Sequence, residues 1–402
     1  MLIDQLDDAP TWAAYLADKL AAGHLRSRQE RELREFVAAE GYLEPVAALR
    51  QGEFPLPVKR FVNKSGTAKK RVVYSFPPAH TNVLKLLAQL LYRYDDAQPP
   101  GCYSFRRGLG AHTAIRALTS TPGIDARWAY KLDVSDYFNS IEIPRLLGIL
   151  DGVIDDDPPL LAFLTQILQA DQAILDGEVV GEKRGIMAGV PIAPFFANLY
   201  LGELDRQHAA IRPYARYSDD IIVFAETEAE LDEIRARIGT WLHSVGLSVN
   251  PAKESVSAPG EPWEFLGISY CHGQIDLSAA TRKKLKGKIR RKARALRRWM
   301  LRHDAEPERA LKAMIRSFDR KYFTTASRDE LNWSRWFFPL LTRDDTLREM
   351  DAYLQQYLRW IPTGRHRKRN YQLSYTRLKE LGYRTLVHEY HLQVPKTSHR
   401  PH

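Results

Sequence analysis

The spacing of apolar residues changes period along the chain, and each change marks an element. Near the start Trp12, Tyr15, Leu16 and Leu20 recur at helical spacing, and a second helix is expected over residues 32–39. Pro55-Leu56-Pro57 interrupts the pattern. Residues 58–74 then place two runs of β-formers around a polar, Gly-containing turn, which predicts a hairpin. Val83, Leu84, Leu86, Leu87, Leu90 and Leu91 predict a helix over 81–94, ended by Pro99-Pro100-Gly101. Residues 128–134 read as a strand, 159–170 as a helix, and Asp176-Gly177 as the turn of another hairpin. A further helix is expected to start close to Pro194. Ile221-Ile222-Val223-Phe224 reads as a buried strand, Tyr217 as the end of the strand before it, and Ser218-Asp219 as the tight turn between them. Leu231, Ile234, Ile238 and Leu242 line one face of a helix over 227–245, followed by a return strand over 246–250 and another strand over 263–270. This order of strand, helices, hairpin, helix and strand suits an α+β domain, a small mixed sheet with helices on one side. From Thr281 the pattern is helical to about residue 391, and the residues after Pro395 read as a frayed tail.

Composition narrows the class. The 402 residues are 44% hydrophobic and 27% charged, enough for two or three domains with sizeable cores. No apolar stretch reaches membrane-spanning length, and the first residues lack the basic and apolar regions of a signal peptide. Cys102 and Cys271 are the only cysteines, too few for a disulfide framework or a thiolate zinc site, so a cytoplasmic protein without membrane partners is expected. A net charge of +10 favours a polyanionic partner, and its distribution matters more than its size. Between Thr281 and His303 no acid interrupts a crowd of cations that includes Lys284, Lys288 and Arg291, while Leu285, Ile289, Ala293, Leu296 and Met300 recur at helical spacing. A helix with one apolar stripe and one wholly cationic face suits a nucleic-acid backbone. A second cationic run, Arg365-His366-Arg367-Lys368-Arg369, follows Pro362-Thr363-Gly364.

Three features then carry chemistry. Asp219-Asp220 sits where the hairpin turn is expected, and at a turn two neighbouring carboxylates can converge, as they cannot within a strand. Oxygen donors of that kind suit a hard divalent cation, although Asp is also an ordinary turn residue. Asp133 ends the strand over 128–134, 86 residues earlier, so it can meet Asp219 only through tertiary structure. Lys64 and Arg71 in the first hairpin, and Arg106 and Arg107 in the Gly-rich loop 103–112, offer donors for phosphates.

Taken in order, these motifs resemble the reverse transcriptase family over roughly residues 55–300. Lys131-Leu132-Asp133-Val134-Ser135-Asp136-Tyr137-Phe138 is similar to the family's first catalytic motif. The stretch 185–201 resembles its template- and nucleotide-positioning motif, and Tyr217-Ser218-Asp219-Asp220 its catalytic hairpin. The stretch 246–253 resembles the lysine motif, and Phe265-Leu266-Gly267 the primer-grip turn. The resemblance implies a right-hand polymerase with fingers, a ferredoxin-like palm and an α-helical thumb. It implies two Mg²⁺ ions (or Mn²⁺) on Asp133, Asp219 and Asp220, with the Val134 backbone as a further ligand. Lys253 would protonate leaving pyrophosphate. Lys64, Arg71, Ser135, Asp136, Tyr137, Phe138 and Gly189 would surround the incoming nucleotide, with Phe138 rejecting a 2′-hydroxyl. Arg106, Arg107, Pro191, Asn198, Tyr217, Ser218, Phe265, Leu266 and Gly267, together with the basic helix, would contact template and primer.

The implied division is a helical flank over 1–54, fingers over 55–126, palm over 127–275 with insertions around 150–185, basic thumb and C-terminal region over 276–392, and a tail over 393–402. Ala188 and Ala193 stand where the family's positioning motif carries Gln and Ser. The length is expected to leave no room for RNase H, protease, maturase or endonuclease modules. The compact layout looks most like bacterial defence-associated enzymes that copy a dedicated non-coding RNA and protect against phage. Implied partners are an RNA template, DNA product or RNA–DNA hybrid, dNTPs, a cognate RNA and a defence effector protein. Retron or group II intron-like enzymes are the alternative, followed by an RNA-dependent RNA polymerase and an inactive RNA-binding scaffold.

Overall fold

The computed structural model describes residues 1–23, 25–63, 70–181, 185–323 and 333–394. They divide into two compact units, Met1–Leu266 and Gly267–His402. No helix among them is long and apolar enough to cross a membrane.

Two sheets organise the first unit. Strands β1 (Val58–Asn63) and β2 (Lys70–Ser75) pair antiparallel, as the alternating β-rich runs predict, and the intervening turn with Lys64 lies outside the described residues. The second sheet contains β3 (Trp128–Asp133). The short hairpin of β4 (Ala173–Leu175) and β5 (Glu178–Val180) returns to the first sheet, giving the order β2-β1-β4-β5. Its turn is Asp176-Gly177, both at positive φ, the geometry of a tight two-residue hairpin.

The second sheet is completed by β6 (Tyr214–Tyr217), β7 (Asp220–Ala225) and β8 (Ser255–Ser257), in the order β6-β7-β3-β8 with every pairing antiparallel. Sequence order and spatial order together describe a ferredoxin-like sheet. The uninterrupted run Ile221–Phe224 is explained by position: β7 lies between β6 and β3, and all four side chains are fully buried. Helix Glu228–Ser244, capped by the Thr227 hydroxyl, buries the expected Leu231, Ile234, Ile238 and Leu242. The helix near Pro194 runs over Ala193–Tyr200 and is followed directly by Gly202–Ala209.

Two strand expectations need correction. Residues 246–250 form no strand; Val249 makes a single bridge to Val134, a turn follows over Pro251–Lys253, and the strand begins only at Ser255. Asn250 and Pro251 account for the break, since the Asn250 side chain accepts the Ala252 N–H and proline has none to give. The stretch 263–270 is divided by the turn at Leu266-Gly267, both at positive φ, into β9 (Trp263–Phe265) and β10 (Ile268–Cys271).

In the second unit β10 pairs with β11 (Gln274–Leu277), and the basic helix runs over Ala279–Arg302, starting on the Ser278 hydroxyl cap. Leu285, Ile289, Ala293 and Met300 are buried as their spacing requires, while Leu296 is only half-buried. Helices Pro307–Tyr322 and Asp345–Thr363 pack alongside it.

Candidate active site

The site begins with strand register. Asp133 ends β3 and Asp220 begins β7, and the two residues stand directly opposite each other in the antiparallel ladder. Side chains so placed have Cβ atoms about 4.5–5.5 Å apart, and like charges there repel. Tyr217 pairs with Asp220, so Ser218-Asp219 is a two-residue hairpin turn with Ser218 at φ +61°. That conformation is strained for a non-glycine residue and persists only where neighbours enforce it. The Asp219 carbonyl accepts the Val134 N–H at 3.0 Å, which ties the turn to the end of β3. Thus the 86-residue gap between Asp133 and Asp219 is closed by a strand pairing and a backbone hydrogen bond.

Charge compensation comes from two lysines. The Lys253 ammonium meets Asp133 Oδ2 at 2.5 Å, and Asn250 Nδ2 lies 3.5 Å from Oδ1. Lys131, two residues before Asp133 and so on the same face of β3, brings its ammonium to 3.5 Å from Asp220 Oδ1. That oxygen is buried and has no hydrogen-bond partner. Burial pushes the Asp220 carboxyl up to about 6, with Asp133 and Asp219 adding to the rise and Lys131 opposing it. Asp219 is raised too, first by burial and then by Asp133, against the pull of Lys253 and Arg71. Mutual influence of this kind places three carboxylates and the Arg71 charge in one electrostatic neighbourhood.

As they stand, no three His, Cys, Asp or Glu side chains among the described residues converge into a metal-binding cluster. The ligand set expected from sequence is therefore near at hand but not closed, because lysines engage two of its three carboxylates. Its chemistry suits a hard divalent ion nonetheless: oxygen donors only, an orphaned buried carboxylate oxygen, and like charges that a dication would relieve.

Behind the turn lies a polar network that the sequence did not reveal. Arg216 and Asp205 are both fully buried and joined by two hydrogen bonds, at 2.8 and 2.6 Å. The same guanidinium donates to the Ser218 carbonyl at 3.2 Å and the Asn198 carbonyl at 3.1 Å. Ser104 Oγ accepts the Ser218 N–H at 2.8 Å and donates to Asn198 Oδ1 at 3.1 Å. Both backbone groups of Ser218 are thus held from behind, which accounts for its positive φ. A charge at Arg216 within a β-rich run, four residues before Asp220, was the one available signal.

This network corrects three expectations. Asn198 is fully buried, with its amide donating to Gln98 and to the Ser104 carbonyl, so it supports the turn and presents no atom to a template. Arg106 is spent on the Pro99, Cys102 and Asp95 carbonyls, which makes the Gly-rich loop a brace and leaves Arg107 as its exposed cation. Tyr137 is buried with its hydroxyl on the Ala197 carbonyl, so only its backbone can approach a nucleotide.

The remaining expected residues fall into separate local contacts. The Phe138 ring is half-buried and sits edge-on to Tyr137 at 5.8 Å. Its carbonyl accepts the Ile186 N–H at 2.9 Å, and a Cβ on Gly185 would lie 1.9 Å from that oxygen, so only glycine fits there. Asp136 is exposed at φ +43°, where its carboxylate accepts from Asn139, and Ser135 donates its N–H to the Ser248 carbonyl. The Tyr74 N–H donates to the Ala188 carbonyl at 2.8 Å, which sets exposed Gly189 and half-buried Pro191 beside the strand that carries Arg71. Tyr217 is half-buried, its ring 6.5 Å from exposed Phe105.

In the expected primer-grip turn Phe265 is buried and Leu266 has φ +49°. The Gly267 carbonyl accepts from the Ser278 N–H and the Thr281 hydroxyl. On the basic helix Lys284 and Arg291 are exposed, and Lys288 is held below its ordinary pKa by burial and by the neighbouring cations Lys321, Lys284 and Arg291. Glu349, from another helix, pairs with Lys286 and Arg282, so the cationic face is partly neutralised at one end.

The family model described as reverse transcriptase (RNA-dependent DNA polymerase) matches residues 62–270. The retron Mx65 reverse transcriptase of Myxococcus xanthus is 26% identical over 186 residues, covering 44% of this chain and 43% of that protein. The retron Ec86 reverse transcriptase of Escherichia coli is 23% identical over 233 residues, covering 54% of this chain and 68% of that one. The chain thus spans less than half the length of the first relative and about two thirds of the second. Among solved structures, apo telomerase from Candida tropicalis truncated from its C-terminal domain is similar at 12% identity over 55% of both chains, with a TM-score of 0.45. Because the family model runs through more than half of the 402 residues and takes in both strands that present the carboxylates, the chain belongs to the reverse transcriptase (RNA-dependent DNA polymerase) family.

Proposed function

We propose that the chain is an RNA-directed DNA polymerase, a nucleotidyltransferase that extends a primer 3′-hydroxyl with dNTPs on a dedicated non-coding RNA template. The observation that carries the reading is the register that sets Asp133 against Asp220, with Asp219 in the adjoining turn. Two Mg²⁺ ions at these carboxylates would activate the 3′-hydroxyl and neutralise the triphosphate and its leaving group. The chain's own residues do the rest. Asp133, Asp219 and Asp220 supply oxygens, with the Val134 backbone beside them, once Lys253 and Lys131 release the carboxylates they now engage. Lys253, freed from Asp133, is placed to give a proton to the leaving pyrophosphate. Arg71, with Lys64, takes the triphosphate, while the backbone at Ser135 and Asp136 lies beneath it. Phe138, held by Ile186 and Gly185, blocks a 2′-hydroxyl. Tyr217 and the Phe265-Leu266-Gly267 turn support the primer, and Lys284, Lys288 and Arg291 follow the nucleic-acid backbone. Residues 55–126, 127–275 and 276–392 act as fingers, palm and thumb.

The Ala188 and Ala193 departures support a defence-associated enzyme with its own RNA and an effector protein. A retron-type enzyme is the second reading, favoured by the two retron relatives. Purified protein given Mg²⁺, dNTPs and an RNA template should make DNA, and the Asp219→Ala/Asp220→Ala protein should not; equal activity in the two would overturn the polymerase reading. Sequencing the nucleic acid that co-purifies from cells, with and without phage, should return one dominant RNA; a mixture tracking transcript abundance would rule out a dedicated template.

A further inference from the structure

The cationic run 365–369 lies beyond the residues matched by the family model and has no part in the chemistry above. Its structure is a built pocket. Helix Asp345–Thr363 stops at Gly364, φ +68°, where a Cβ would collide with the Arg297 guanidinium. Arg297 donates to the Ile361 and Pro362 carbonyls at 3.0 Å, so the helix end is clamped and the chain must turn away from it. Asn370 then closes the loop by donating to the Arg365 carbonyl, and Arg359 reaches across from the helix to the Leu373 carbonyl at 2.9 Å. Between loop and helix is a cavity of about 200 Å³, lined by Arg359, His366, Arg367, Lys368, Asn370 and Tyr371.

The lining has two kinds of chemistry. Arg367 and Lys368 are exposed, and among the described residues neither they nor Arg365 nor Arg369 makes an ion pair with a carboxylate. Other surface arginines of the same unit behave differently: Arg343, Arg348 and Arg377 each have an acid within 2.7 Å. Four uncompensated cations in five residues repel one another and call for a polyanion. Tyr371, by contrast, offers an aromatic face. It is 66% exposed and backed by the Arg359 guanidinium 5.1 Å from its ring centre. A cation behind the ring holds it in place while much of its surface stays open to solvent. A stacking face beside phosphate donors is how single strands are captured, base on ring and phosphate on cation. The cavity is too small for a duplex, which would need an extended face such as the basic helix.

Resting on the reading that RNA is this enzyme's partner, we propose that this pocket binds a nucleotide of single-stranded RNA, with the base on Tyr371 and the adjoining phosphates on Arg367 and Lys368. The test uses the full chain, a fluorescent 12-nucleotide single-stranded RNA and an RNA–DNA hybrid whose template overhangs the primer by a single nucleotide. Tyr371→Ala and Arg367→Gln/Lys368→Gln should each weaken single-strand binding about tenfold, Tyr371→Phe should not, and the hybrid's affinity and extension rate should be unchanged in all three. Thermal melting of Tyr371→Ala and Tyr371→Phe should coincide within about 2 °C, which separates stacking from folding. Single-strand affinity unchanged in Tyr371→Ala overturns the pocket, as does an equal loss for the hybrid. If instead the wild type fails to extend the hybrid while Tyr371 still governs single-strand binding, the pocket stands and the polymerase reading falls.

Discussion

At the scale of single residues the site is a problem of crowded charge. Asp219 and Asp220 are both raised by burial and by their acidic neighbours, and Asp220 reaches about 6. A carboxyl whose folded pKa lies above its unfolded one contributes stability below the unfolded value and loses it as pH rises through the folded one. Asp220→Asn should therefore gain stability over wild type as pH climbs from about 4 to 7, by roughly 1–3 kcal/mol without added divalent ion. Denaturant melts of the two proteins across that range check it. Mg²⁺ should raise the wild-type melting temperature more at pH 7.5 than at pH 5, because it binds ionised oxygens, and should do little for Asp219→Ala/Asp220→Ala. Phe138 invites a different measurement. Removing its ring should relax discrimination against ribonucleotides by about tenfold or more if the ring excludes the 2′-hydroxyl, since bulk is what rejects it. Single-nucleotide incorporation of dNTP against rNTP reads this directly; an unchanged ratio in Phe138→Ala would remove Phe138 from that role.

Elements decide how these side chains are aimed. The Ser218-Asp219 turn is strained, and its geometry is held by Arg216, Asp205, Asn198 and Ser104. Arg216→Gln leaves Asp205 buried without its partner, a change that costs about 3–5 kcal/mol. Ser104→Ala is the milder probe: it removes the acceptor of the Ser218 N–H and the donor to Asn198 Oδ1 without stranding a charge, about 1–3 kcal/mol. If the network positions the carboxylates, Ser104→Ala should lower kcat and raise the Mg²⁺ concentration needed for half-maximal rate, with little change in the dNTP KM. Much of this level could be read in advance. Ile221–Phe224 announced a strand buried on both faces, and Ser218-Asp219 announced the turn. Asn198 and Arg106 were misassigned because a polar side chain in a loop or helix shows no sign of facing inward until a neighbouring element supplies its partners. Lys131 was in view yet unassigned, although its two-residue spacing from Asp133 already put both on one face.

For the whole molecule, charge and connectivity set the terms of binding. The face of helix Ala279–Arg302 carries its cations where no acid on the same helix answers them, though Glu349 does at one end. Replacing Lys284, Lys288 and Arg291 with Gln should reduce the salt dependence of hybrid binding by roughly 2–3 in the slope of log K against log salt. Affinity measured from 50 to 300 mM salt tests this, and parallel lines would exclude these residues from phosphate contact. By itself the sequence determined the periodicities, the order β, α, hairpin, α, β, the cationic helix and the five family motifs. These are local facts, set by neighbours a few positions apart. Tertiary structure alone decided that Asp133 faces Asp220 across a ladder, that Lys253 and Lys131 hold two of the carboxylates, and that Arg216 is buried. Each of those depends on residues from 11 to 120 positions apart meeting through packing. Spacing along the chain says which residue types are present; only register and burial say which of them touch.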